Sequence, residues 1–224
     1  MEERRILYVL IACEESQAEC MAFRALGHVA YSCDILPCKR GGHPEWHIQG
    51  DVTCLLEGDL VFTTQAGEVV KVPRWDLIIA HPPCTYLCKV GAIHLYKNPD
   101  CFVYIHRKLT HVNCLRWANM QLARKFFLQC LNASAEHVAV ENPCPMAAAE
   151  LPAADFFACP SWFGEKYTKK TYYWVKNLPP LMAVYINPNA DCLCDHARGK
   201  YRSRTAKKLA GAIARQWSEY ILNS

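Results

Sequence analysis

The chain has 224 residues, 52% hydrophobic and 21% charged, with a formal net charge of +4. That suits one α/β domain with a sizeable core, and no apolar run approaches the ~20 residues of a membrane-spanning helix. The mild positive charge is compatible with a nucleic-acid partner without requiring one. Glu2-Glu3-Arg4-Arg5 leads straight into an apolar run, without the small-residue cleavage site of a signal peptide. Fourteen cysteines, several inside strand or helix patterns, read as reduced core residues with a functional minority.

Ile6 to Ala12 is a continuous apolar run and reads as a buried strand. Cys13 to Gln17 turns into a helix that runs to Leu26, where Gly27 is a natural stop. Val29 to Cys33 is a second strand with Asp34 at its tip, so the chain opens as a βαβ unit. An acid there often holds the ribose hydroxyls of a nucleotide-like cofactor, and equally often caps a loop or helix. Residues 55–75 read as a β-hairpin insertion around Gln65-Ala66-Gly67, taken as a surface decoration.

Asp76 to Ala80 is a third buried strand, broken by His81-Pro82-Pro83 and followed by Cys84. Two prolines make a rigid lip, and ligands of open α/β sheets sit beyond the carboxyl ends of the strands. Residues 85–131 read as mainly loop and helix, and Tyr86 to Asn113 shows no clean periodicity. Leu115 to Leu131 reads as an amphipathic helix with Leu115, Ala118, Leu122, Phe126 and Cys130 on one face. Val138 to Val140 delivers a second polar pair, Glu141 and Asn142, at a strand tip. Lys169 to Val175 is a strand, 182–204 a short loop, and a basic run from Arg198 leads into a last helix bearing Leu209, Ile213 and Trp217. His43/Glu45/His47 and Cys192/Cys194/His196 both fall short of a full ligand set, so no metal is expected.

Together these residues resemble the cytosine-5 DNA methyltransferase family, and the small phage and prophage proteins assigned to it. Pro82-Pro83-Cys84 looks like the family's catalytic strand tip, and Val140-Glu141-Asn142 like its Glu-Asn tip. Gly50-Asp51-Val52 and Asp34 stand where the family holds adenine and ribose. The resemblance implies a Rossmann-like S-adenosylmethionine-dependent methyltransferase fold, with a mostly parallel sheet and helices on both faces, in one domain over 1–224. It implies Cys84, Glu141 and Lys170 as catalytic. It implies Ala12, Cys13, Ser16, Asp34, Ile35, Asp51, Val52, His81 and Pro82 around S-adenosylmethionine. It implies Pro83, Asn142, Lys169, Arg202 and Arg204 against a DNA substrate. A cytoplasmic setting in a bacterial or phage-infected cell goes with that activity.

Three features depart from the family pattern. Ala12-Cys13-Glu14-Glu15 replaces an aromatic residue and glycines, the strand near Lys169 has lysines where the family has arginine and so lacks its bidentate fork, and the 182–204 loop stands in place of a target-recognition domain. Two other readings therefore stay open: the same chemistry on a free cytosine nucleotide or RNA, and a non-catalytic binding protein on a methyltransferase scaffold.

Overall fold

Strands buried on both faces need uninterrupted apolar runs, and such runs occupy the centre of the sheet. The structure, a computed structural model, describes residues 5–192 and 205–224. In chain order, β1 (Tyr8–Ala12) is followed by α1 (Ala18–Ala25), β2 (Val29–Asp34), β3 (His47–Gln49) and the short α2 (Thr53–Glu57). A hairpin of β4 (Val61–Thr63) and β5 (Val69–Lys71) precedes β6 (Leu77–Ala80). Next come α3 (Ile93–Tyr96), a second hairpin of β7 (Cys101–Ile105) and β8 (Lys108–Val112), then α4 (Cys114–Leu131) and β9 (His137–Pro143). The chain continues through β10 (Phe156–Ala158), β11 (Tyr167–Thr168), β12 (Thr171–Lys176) and β13 (Asp191–Cys192) to α5 (Lys207–Asn223).

The main sheet has seven strands in the order β10-β12-β9-β6-β1-β2-β3. The strands from β3 across to β9 run parallel, and β12 is antiparallel to both neighbours. With helices on both faces, this is the mostly parallel, Rossmann-like α/β architecture anticipated above. Period-two alternation divides the core. Leu10, Ile78 and Val138 face one side, in the cluster that also holds Met120 and Phe127 of α4. Val9, Ile11, Leu77, Ile79 and Ala139 face the other side, with Phe23 of α1 and Leu209, Ile213 and Trp217 of α5. The last helix thus buries the face expected of it. Gly27 closes α1 at φ 88°, a left-handed conformation that glycine adopts without strain.

Three expectations need correction. The 85–113 stretch holds the β7–β8 hairpin. Its aromatic residues Phe102 and Tyr104 point outward, and so inverted the usual inward apolar pattern. On α4 the buried face is Met120, Phe127 and Cys130, whereas Leu115 and Leu122 are exposed. The β4–β5 hairpin is more than a decoration. Phe62 is buried between Tyr31 and Trp75, with ring centroids at 4.9 and 5.8 Å.

Candidate active site

A cavity of about 560 Å³ opens at the carboxyl ends of the parallel strands. It lies where the chain order reverses between β1 and β6, the place such sheets reserve for ligands. Cys13, Asp34, Ile35, Asp51 and Val52 line one part of it. His81, Pro82, Pro83, Cys84, Glu141 and Lys169 line another.

The first loop solves the problem its sequence posed. Cys13 takes φ 60° and Gln17 φ 57°, left-handed angles that glycine would adopt freely. Glu14 turns inward, and its carboxylate accepts the Glu19 and Cys20 amides at 2.8 and 3.3 Å. It therefore satisfies the first turn of α1, whose residue Gln17 gives no side-chain cap. Glu15 stays at the cavity but pairs with Lys39 Nζ at 2.6 Å. Neither glutamate presents an unopposed charge.

Asp34 Oδ1 accepts the Leu36 amide and Asp51 Oδ1 accepts the Thr53 amide, each at 2.9 Å. Hydrogen bonding at Thr53 holds the Asp51 carboxyl below its ordinary range. Each carboxylate keeps one oxygen outside those turns. Beside them, Ile35 and Leu36 expose large apolar side chains at the cavity rim. Two carboxylates next to an apolar lip fit the hydroxyls and the flat ring of a nucleoside. This donor set suits the nucleoside half of S-adenosylmethionine. The α1 terminus is already filled by Glu14 and cannot receive the cofactor's carboxylate.

Beyond the strand ends, the alternation turns His81 and Glu141 toward α1. His81 Nε2 donates to Glu19 Oε2 at 3.1 Å, and its Nδ1 donates to Glu141 Oε2 at 3.3 Å. Burial alone would push the imidazole's pKa down. The Glu19 charge and both carboxylate partners outweigh it and hold His81 protonated, well above its ordinary value. Burial would likewise raise Glu141. The Lys169 ammonium, 4.0 Å from Oε1, and the His81 bond win and keep it a carboxylate. Tyr173 lines the same cavity, and burial, with the charges of Glu141 and Glu19, holds its hydroxyl protonated.

Cys84 follows the two prolines at the cavity wall. Its pKa is raised, first by a hydrogen bond to Cys88 and then by burial and the charges of Cys88 and Glu141; Lys169 pulls the other way. Cys88 begins a one-turn helix, Lys89–Gly91, and its thiol falls to about 5. The Cys84 bond is the main cause, and the Gly91 and Val90 amides help.

Four anticipated site residues sit elsewhere. Lys170 is exposed and lies over the rings of Phe157 and Tyr172 at 4.0 and 5.0 Å; the lysine facing Glu141 is its neighbour Lys169. Asn142 is one residue past Glu141, so it points to the opposite face, fully buried. Ala12 belongs to the core, and Ser16 donates to Glu14 at 3.4 Å. Arg202 and Arg204 lie outside the described residues, as do Cys194 and His196. His43 and His47 do not converge: His43 pairs with Glu45, while the His47 ring bonds Ser32 and the Leu36 carbonyl. Glu19, Leu36 and Tyr173 join the site without any local sequence signal. Tertiary packing alone brings them there.

No protein-family profile and no curated protein matches this sequence. Among the solved structures that match is an E. coli crystal structure described as a "putative DNA modification methyltransferase encoded within prophage". The two are 15% identical with a TM-score of 0.45, over 81% of this chain and 52% of that one. The chain thus spans about half the length of that structure. Among the described residues, no helix is long and apolar enough to cross a membrane.

Proposed function

We propose that this chain methylates carbon 5 of cytosine in DNA through a covalent adduct on Cys84, with S-adenosylmethionine as methyl donor. The observation that carries the reading is one cavity lined by a thiol, Cys84, and a carboxylate, Glu141, from adjacent strand tips, with Asp34 and Asp51 nearby. When bound, S-adenosylmethionine supplies an electrophilic methyl group; Asp34, Asp51, Ile35 and Val52 would hold its nucleoside half.

The rest is the work of this chain's own residues. Cys84 sulfur bonds to carbon 6, its proton passing to Cys88, and carbon 5 becomes nucleophilic. The Glu141 carboxylate accepts the exocyclic amine. As the ring gains electrons, nitrogen 3 draws a proton from the His81–Glu141 pair, and Lys169 offsets the charge. Once carbon 5 carries the methyl group, its proton leaves to a base, the nitrogen-3 proton returns to the His81–Glu141 pair, and the carbon–sulfur bond breaks to free the thiolate. In duplex DNA the base must first leave the stack, at a cost of a few kcal/mol.

The test is transfer of labelled methyl to DNA, RNA, dCMP and dCTP in parallel. Label on cytosine carbon 5 of DNA is expected, with Cys84→Ser reduced to background. DNA containing 5-fluorocytosine should add its mass to the wild-type protein and not to Cys84→Ser. Label on the nucleotides or RNA alone would move the reading to that substrate, which the short 182–204 loop favours. No label on any acceptor would end it.

A further inference from the structure

Acidic residues are scarce in one part of this chain. Between Leu77 and Ala135 there are seven Lys or Arg residues and a single acid, Asp100. Asp100 sits at the base of the β7–β8 hairpin and accepts the Cys114 amide at the start of α4. At the far end of the hairpin the Glu150 carboxylate is taken up by His106. There Arg107 and Lys108 are exposed, and among the described residues neither forms an ion pair.

The hairpin presents a distinct face. Cross-strand partners share a side, so Phe102 opposite His111 and Tyr104 opposite Leu109 form one outward surface. Phe102 is 64% exposed and Tyr104 71%, and Phe102 stacks on His111 at 4.4 Å. The two-residue turn, His106 at φ 47° and Arg107 at φ 64°, is one for which Asn-Gly is the usual choice. Residues without glycine's freedom are held here at some strain, a mark of function more than of folding.

The hairpin is also anchored to the segment that follows β9. It follows Cys84 in the chain, and its tip is tied down by the His106 amide and ring to Glu150 Oε1 and the Ala147 carbonyl, each at 3.1 Å. The loops leaving β6 and β9 pair with each other, Lys89 N to Cys144 O at 2.8 Å and Met146 N to Leu87 O at 2.7 Å. Exposed aromatic faces for bases, with cations for phosphates, form the chemistry of a sequence-tolerant polynucleotide platform.

We infer that the β7–β8 hairpin is a polynucleotide-binding surface, in which Phe102 and Tyr104 stack on bases and Arg107 and Lys108 contact phosphates. This rests on the proposed reading for its substrate class, and it assigns to an insertion after the nucleophile the strand-holding task for which the 23 residues of 182–204 are too few.

The test is fluorescence anisotropy of the full chain, without cofactor, with labelled single-stranded DNA, duplex DNA and RNA over a salt series. Phe102→Ala/Tyr104→Ala should weaken binding roughly 30-fold or more, with little change in salt slope. Arg107→Ser/Lys108→Ser should lower the slope against log salt by about one and a half on a single strand. Lys71→Ser, exposed on the β4–β5 hairpin, serves as control and should bind like wild type. Cys84→Ser should also bind like wild type, because binding needs no chemistry. Hairpin variants that keep their fold by circular dichroism and bind like wild type would overturn the assignment, even if methylation persists. So would an equal loss in Lys71→Ser, which would reduce the effect to net charge. Hairpin-dependent binding without any methyl transfer would leave it standing and remove the enzymatic reading instead. The three nucleic acids decide which polynucleotide the face prefers.

Discussion

Cys84 and Cys88 stand one helical turn apart, with the Cys88 amide donating to the Cys84 carbonyl at 3.0 Å. Of the two sulfurs, Cys88 gains the local amides and the Cys84 proton, so it carries the thiolate at rest. Alkylation rates follow the thiolate fraction. Iodoacetamide at pH 6, read by peptide mapping, should therefore modify Cys88 ahead of Cys84. In Cys88→Ala, Cys84 loses both the acceptor that favours its protonated form and the neighbouring charge, so its alkylation midpoint should fall to lower pH. Cys84 reacting first in the wild type would contradict this arrangement, and with it the role of Cys88 as proton acceptor. Around this pair, what could be read from the chain was the pair of strand tips themselves, since Pro-Pro-Cys and Glu-Asn break two apolar runs. Choosing between Lys169 and Lys170 was beyond it. Side chains alternate along a strand, so a shift of one residue reverses the face, and nothing local fixes the register of a strand edge.

The same limit separates the elements that were legible from those that were not. The β1, β6 and β9 strands announce themselves because both of their faces are apolar. α5 does so because Leu209, Ile213 and Trp217 repeat at helical spacing and all three are buried. The face of α4 was misread because Leu115 and Leu122 have that spacing yet stay exposed. Their apolarity reflects composition rather than burial. The β4–β5 hairpin is legible as an element but not as part of the core, because Phe62, which faces inward with its cross-strand partner Val70, meets Tyr31 and Trp75 from distant parts of the chain. Its contribution is measurable. Phe62→Ala should cost roughly 3–5 kcal/mol in a urea titration, as a buried ring replaced by a cavity does. Val61→Ala, on the exposed face one residue earlier, should stay within about 0.5 kcal/mol. Equal losses at both positions would mean that the hairpin contributes through strand propensity rather than packing.

At the scale of the whole molecule, the buried charges are what tie the two halves of the sheet together. Glu14 and Glu19 belong to the β1–α1 half, Glu141 and Lys169 to the β9–β12 half, and His81 at the end of β6 bonds to both. Paired charges in a low dielectric are costly to assemble and more costly to unbalance, so stability must vary with pH. Glu14 shows this most cleanly. Burial first and the Glu19 charge second raise its carboxyl from 4.5 to about 7, against the pull of His81 and of the amides it caps. A carboxyl with a raised folded pKa binds more protons folded than unfolded between those two values. Stability therefore falls as pH rises from about 4.5 to about 7, and then levels off. Cys88 acts in the opposite sense, because its lowered pKa adds stability as pH rises from about 5 toward 9. The wild-type profile alone mixes the two. The difference between Glu14→Gln and wild type separates them, since glutamine keeps an acceptor for the Glu19 amide, loses the titration and leaves Cys88 in place. Urea titrations of both proteins at several pH values should show the variant gaining on wild type from pH 4.5 to 7, by a total on the order of 3 kcal/mol, with no further gain above. A difference that stays constant across that range would mean that Glu14 ionises in the folded protein as freely as in water, and that the first turn of α1 fully compensates its burial.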